Sequence, residues 1–188
     1  MGASGNGRKL ATRLQALVVY VEDLPGVLTR VASLFRRRSF NISSLTVGHT
    51  DQPGVSRMTI VMEGDESAAL RCEANMYRLV NVLRVENVTH EPALVRDLAL
   101  VKVRCPAERR PEVLQVCDVF RARVVDLSLD AVIVEITGVE EKIDGLLDVL
   151  RPFGIIEMVR TGVVAMRRGC EAPSIDPHFV HAVVPEEA

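Results

Sequence analysis

Residues 18–31, Val-Val-Tyr-Val-Glu-Asp-Leu-Pro-Gly-Val-Leu-Thr-Arg-Val, constrain this chain more than any other stretch. The first four are β-branched or aromatic and suit a buried, pleated strand. Asp23 to Gly26 interrupt that run with turn chemistry. Asp is a helix N-cap type, Pro25 has the φ of a first helical turn and no N–H to leave unpaired, and Gly26 has no Cβ. A helical pattern follows, with Val27, Leu28, Val31, Leu34 and Phe35 sharing one face. The stretch therefore predicts a strand, a tight turn and a helix whose N-terminal N–H groups are free around Gly26. Such an end attracts a carboxylate or a phosphate.

The remaining segments extend this unit. Residues 40–47 predict a second strand, and 48–54 form a polar connection containing Pro53 and Gly54. Residues 57–63 alternate, with Met58, Ile60 and Met62 on one face. Asp65, Glu66 and Ser67 supply acidic and capping types before a second helix through Leu70, Ala74 and Tyr77. Residues 82–88 close the unit as a fourth strand, in the order β-α-β-β-α-β of the ferredoxin-like split unit. After His90-Glu91-Pro92 the order repeats: a strand at 98–103, a helix opened by Pro111 and bearing Val113, Val116, Cys117 and Phe120, and strands at 124–127 and 132–136. A helix from Glu140 follows, with Ile143, Leu146, Leu147 and Leu150 in one stripe, then a last strand over 155–166 bent at Gly162.

The expected fold class is thus α+β, two consecutive ferredoxin-like βαββαβ units. The expected division is a disordered extension at 1–13, a first domain at 14–91, a second at 92–169 and a loose tail at 170–188. The second unit has no Asp-x-Pro-Gly turn, so a small-molecule site is expected only in the first.

A hydrophobic content of 48% supports a real core, and with 4% aromatics that core is built of Val, Leu, Ile and Ala. The net charge of −2 gives no general attraction to nucleic acid or to an anionic membrane. The longest apolar run, residues 16–21, is far too short to span a bilayer. Cys72, Cys105, Cys117 and Cys170 form no C-x-x-C pair and read as reduced thiols of a cytoplasmic protein. His178-x-x-His181 has the spacing of a metal pair but lacks a ligand cluster around it, and reads as two solvated side chains. Arg36, Arg37 and Arg38 read first as a solvated last turn favoured by the negative helix end, with a docking patch as the sharper alternative.

Several motifs in order resemble one family. Residues 22–31, then Leu34-Phe35, Phe40-Asn41-Ile42, 44–47 and 56–60 are similar to the ACT domain of acetohydroxyacid (acetolactate) synthase small subunits. Residues 98–103, Phe120-Arg121-Ala122, Val125-Asp126 and Gly162-Val163-Val164 resemble the second half of the same family. The resemblance covers residues 15–169.

It implies a non-catalytic regulatory subunit that binds and activates the catalytic large subunit and confers feedback inhibition by valine or another branched-chain amino acid. It also implies a homodimer, with ACT domains joined side by side and effector pockets at the seam. Thiamine diphosphate, FAD and magnesium would belong to the partner catalytic subunit and none to this chain. The effector site is expected at Asp23, Leu24, Gly26, Val27, Leu28, Asn41 and Ile42. The effector carboxylate would meet the N–H groups of Gly26, Val27 and Leu28. Asp23 and Asn41 would accept from its ammonium, while Leu24, Val27 and Ile42 surround an aliphatic side chain.

On spacing alone an ordinary capped turn, with Asn41 satisfying a local backbone group, accounts for the same residues. The family commonly carries Asn where this chain has Asp23, which adds a negative charge. No G-x-S-x-G, H-E-x-x-H or Walker motif is present. A free-standing ACT-type amino-acid sensor acting on a different enzyme, or a small enzyme on the same scaffold, are the alternative classes.

Overall fold

The computed structural model describes residues 14–170 and Ile175. The expectations for residues 1–13, for all but Cys170 and Ile175 of the tail, and for His178 and His181 lie outside the described residues. The chain forms two compact units, divided in sequence between His90 and Glu91 except that Ser44–Val47 group with the second.

The first unit runs β1 (Leu14–Glu22), α1 (Val27–Arg37), β2 (Ile42–His49), β3 (Val55–Glu63), α2 (Glu66–Met76) and β4 (Val82–Asn87). Its sheet has the order β2-β3-β1-β4. β1 is central: it pairs antiparallel with β3 from Leu14 opposite Glu63 to Glu22 opposite Val55, and with β4 from Leu17 opposite Asn87 to Val21 opposite Val82. Leu17, Val19, Val21, Met58 and Ile60 are all buried.

α1 buries Val27, Val31, Leu34 and Phe35, and Phe35 meets Phe40 edge-on with ring centroids 6.0 Å apart. Leu28, expected on that face, is 43% exposed. α2 corrects the sequence reading more substantially. It buries Ala68, Ala69, Cys72 and Met76 and turns Leu70 and Tyr77 outward. Three of these four buried residues are small, which leaves room for the helix backbone to approach the sheet, while Met76 fills the space at its end. Asp65 does cap this helix, its carboxylate accepting from Ala68 N at 2.7 Å, which holds the Asp65 carboxyl below its ordinary range. Tyr77 is a polar handle on β4: its hydroxyl oxygen accepts from Val85 N at 3.0 Å.

The second unit runs β5 (Ala93–Arg104), a 3-10 turn (Ala107–Arg109), α3 (Arg110–Phe120), β6 (Arg123–Leu127), β7 (Ala131–Gly138), α4 (Glu140–Leu150), a 3-10 turn (Arg151–Phe153), β8 (Ile155–Arg160) and β9 (Val164–Arg167). The main order β6-β7-β5-β8 repeats that of the first sheet. Ala99, Val101 and Val103 of β5 pack with Val113 and Cys117 of α3 and with Ile143, Leu146, Leu147 and Leu150 of α4. The expected α4 stripe is therefore the buried one.

Two differences from the sequence reading share one cause. β5 begins at Ala93, and the single last strand expected over 155–166 is two strands, β8 and β9, both paired to β5. A polar junction separates them. Asp97, 6% exposed, takes Arg160 Nε at 2.9 Å and the Thr161 hydroxyl at 3.1 Å, while Thr161 Oγ1 accepts from Leu98 N at 3.2 Å. Side-chain bonding to the backbone there competes with the ladder, and Gly162 has φ +87°.

Cys72, Cys105 and Cys117 are buried free thiols and Cys170 is an exposed one. Burial pushes the Cys72 thiol up to about 12 and raises that of Cys117. Thiolate is the reactive form, so Ellman's reagent at about pH 8 is expected to label one cysteine, Cys170, rapidly in the native protein. The other three are expected to react only after denaturation; a Cys170→Ser variant that still labels rapidly would contradict the burial.

Candidate functional site

The turn after β1 is built by local hydrogen bonds. Asp23 N donates to Gly54 O at 2.8 Å, Leu24 N to Glu22 O at 3.0 Å, and Val27 N to Leu24 O at 3.3 Å. Gly26, at φ +84° and ψ −6°, is the N-cap of α1, with no side-chain cap. This corrects two expectations: Asp23 does not cap the helix, and Pro25 precedes it. Only glycine enters that left-handed conformation without cost, so Gly26 sets the direction in which α1 leaves the sheet. The first turn of α1 contains no acidic residue, so no charge offsets its positive dipole end, while Val27 N, one of the three N–H groups expected to meet an effector, is already taken by Leu24 O.

Behind the turn lies a polar brace. Glu22, 4% exposed, accepts from Asn81 Nδ2, and Asn81 Oδ1 accepts from Arg30. Asn81 O also accepts from Glu22 N at 2.9 Å. The loop before β4 is thereby tied to both the end of β1 and the first turn of α1.

In front of the turn, Asp23 Oδ2 lies 3.2 Å from His49 Nδ1, with both side chains largely exposed. His49 falls in the stretch 48–54 expected to be a polar connection, but it is the last residue of β2. The hairpin β2–β3 delivers it, and the signal was its position at the end of a strand that must run alongside β3.

The structure brings together only part of the expected site. Asp23, Leu24, Gly26, Val27 and Leu28 form one turn, but Asn41 and Ile42 lie at the other end of the sheet. Asn41 O accepts from Glu63 N at 3.2 Å and Asn41 Nδ2 donates to Glu63 Oε1 at 2.9 Å. Asp23, by contrast, is held by Gly54. Residues 55–63 of β3 separate these anchors, which at about 3.3 Å per residue is roughly 26 Å. Within one chain the seven residues cannot touch one small ligand. Val27 is also 4% exposed and faces the core, so Leu24 and Leu28 are the aliphatic side chains available at the turn.

Among the described residues no group of three or more His, Cys, Asp or Glu side chains is placed to hold a metal ion. Among the same residues no helix is long and apolar enough to cross a membrane.

Comparison with known proteins covers both units. Residues 17–84 match a family described as AHAS small subunit-like ACT domain, and residues 96–169 match one described as small subunit of acetolactate synthase. The chain is 47% identical over 153 residues to a probable acetolactate synthase small subunit of Archaeoglobus fulgidus, covering 81% of this chain and 96% of that protein. To the acetolactate synthase small subunit of Mycobacterium leprae it is 48% identical over 153 residues, 81% of this chain and 90% of the relative. The crystal structure of the acetolactate synthase small subunit from Thermotoga maritima superposes with a TM-score of 0.79 at 38% identity, covering 85% of this chain and 99% of that one.

The turn makes its own prediction. A Cβ added at Gly26 would meet nothing within 4 Å, so Gly26→Ala tests backbone strain alone. The expected loss of stability is about 1–2 kcal/mol. It should appear as a lower urea midpoint at unchanged m value. An unchanged midpoint would mean that the left-handed conformation is relaxed at no cost.

Proposed function

The chain belongs to the family of acetolactate synthase small subunits, and from that premise we propose that it binds the catalytic large subunit, raises its activity and makes it sensitive to valine or a related branched-chain amino acid. The observation that carries the effector part is the Gly26 turn: an uncompensated helix N-terminus beside an exposed carboxylate, which suits the two charges of a free amino acid. Its carboxylate would take N–H groups at the start of α1. Its ammonium would meet Asp23, with His49 as the neighbouring partner of that carboxylate.

Asn41 and Ile42 join this reading through a second copy. β2 is an edge strand of the first sheet. Pairing two β2 strands antiparallel about a two-fold axis runs the Ile42 end of one copy alongside the His49 end of the other, and His49 is the residue beside Asp23. The proposed homodimer thus builds each effector pocket from the Gly26 turn of one chain and Asn41-Ile42 of its neighbour. The paired edges would also remove the exposed ladder groups that such strands otherwise present. The thiamine diphosphate, FAD and magnesium of the reaction are proposed to be held by the catalytic partner.

The test mixes this protein with a purified catalytic subunit and measures acetolactate formation with and without each branched-chain amino acid. Activation that valine reverses is expected. Valine binding without activation would instead favour a free-standing sensor.

Gly26→Asp sharpens the test by setting a carboxylate against the effector carboxylate. Losing a charge-assisted contact of roughly 1.5–3 kcal/mol weakens binding about ten- to a hundredfold. Gly26→Asp is expected to fold, to activate, and to ignore valine, with Gly26→Ala intermediate by calorimetric titration. Wild-type valine affinity in Gly26→Asp would remove the turn from the site.

A further inference from the structure

We propose that the arginine-lined cleft at the C-terminal ends of α1 and α2 docks an acidic segment of the catalytic subunit. This rests on the reading above that the chain binds such a subunit.

The cleft holds Arg37, Arg38 and Arg78 around Leu34, Leu79 and Asn75, with a volume of about 320 Å³. A second cleft of about 430 Å³ shares Arg38 and Asn75 with it and adds Arg71. Four exposed guanidinium groups therefore line one continuous basic surface in a chain whose net charge is −2. Among the described residues, none of these four has a carboxylate within 4.0 Å. The carboxylate in the second cleft, Glu63, accepts instead from Asn41 Nδ2 at 2.9 Å and from the Ser43 hydroxyl at 3.4 Å. Arg71 donates to Ser67 Oγ at 2.9 Å and its charge acts on Asp65, while elsewhere arginines pair directly with carboxylates: Arg84 with Glu86, Arg123 with Glu135, Arg160 with Asp97 and Asp144, and Arg167 with Glu91.

Helix dipoles account for only part of this charge. Arg36 and Arg37 lie in the last turn of α1, where a cation offsets the negative helix end. α2 has no basic residue in its last turn. Arg71 sits in its middle and Arg78 lies beyond its end, so neither belongs to that explanation.

The arrangement favours an extended acidic segment over a compact phosphate. The guanidiniums are spread over two adjoining clefts, and the negative dipole ends of two helices oppose concentrated negative charge at one point. Guanidinium forks match carboxylates two bonds at a time, and Leu79 offers apolar contact to the methylenes of Asp and Glu side chains.

The test is the affinity of Arg37→Glu/Arg78→Glu for the purified catalytic subunit, measured beside the wild type across a salt series. The expected result is at least tenfold weaker binding near about 50 mM salt, with the gap closing as salt screens the contact. Valine affinity and the circular dichroism spectrum should be unchanged. Arg37→Gln/Arg78→Gln, which removes charge without reversing it, should fall between the two and covers the case in which the double reversal does not fold. A wild type that fails to bind the catalytic subunit overturns the underlying reading together with this one. A wild type that binds, with both variants binding within twofold of it, overturns the cleft alone. So does thermal stabilisation by pyrophosphate that both variants lose while they keep full affinity for the catalytic subunit.

Discussion

Both units depend on a central strand hydrogen-bonded along both sides. β1 is held by β3 over its whole length and by β4 over its second half, and β5 is held in the same way by β7 and β8. A strand so placed resists slipping, because a shift of one residue would break its pairing with both neighbours and exchange Leu17, Val19 and Val21 with Val18, Tyr20 and Glu22 between its two buried faces. Its end is therefore a fixed point, and whatever follows it is delivered to a defined place. In the first unit that is the Gly26 turn, braced by Glu22, Asn81 and Arg30. Small buried residues do the equivalent for the helices. Ala68, Ala69 and Cys72 let α2 lie close to the sheet, and the larger Leu70 is left outside.

The element order of both units was legible because each strand and helix carries its own period, and long regular patterns survive tertiary packing. The α4 stripe of Ile143, Leu146, Leu147 and Leu150 is the clearest case. Where reading failed, a competing interaction had no signature in the local pattern. The α2 stripe was misplaced because periodicity does not say which of two faces is buried when one is made of alanines. The break between β8 and β9 was missed because it comes from Asp97 bonding Arg160 and Thr161, residues more than sixty positions further on.

The site shows the same division. Asp23 to Gly26 were recognisable as a turn, and the positive φ of Gly26 confirms why glycine stands there. The capping role given to Asp23 was wrong because the backbone bonds of Asp23, Leu24 and Val27 build the turn without its side chain. Asn41 entered the expected site through the family resemblance, and only α1 separates it from the turn in sequence. A helix that crosses a sheet carries the chain to the opposite end before the next strand begins, and sequence proximity hides that distance.

That distance has a thermodynamic consequence. An amino acid spans far less than the roughly 26 Å between the Gly26 turn and Asn41. A ligand of that size can engage both places only by bridging two chains, and it then binds the associated state and not the separated one. By mass action such a ligand and the chain–chain contact reinforce each other. Its apparent affinity would fall on dilution of the protein, and a substitution far from the ligand that loosens the contact between chains would weaken it as surely as a change at the turn itself.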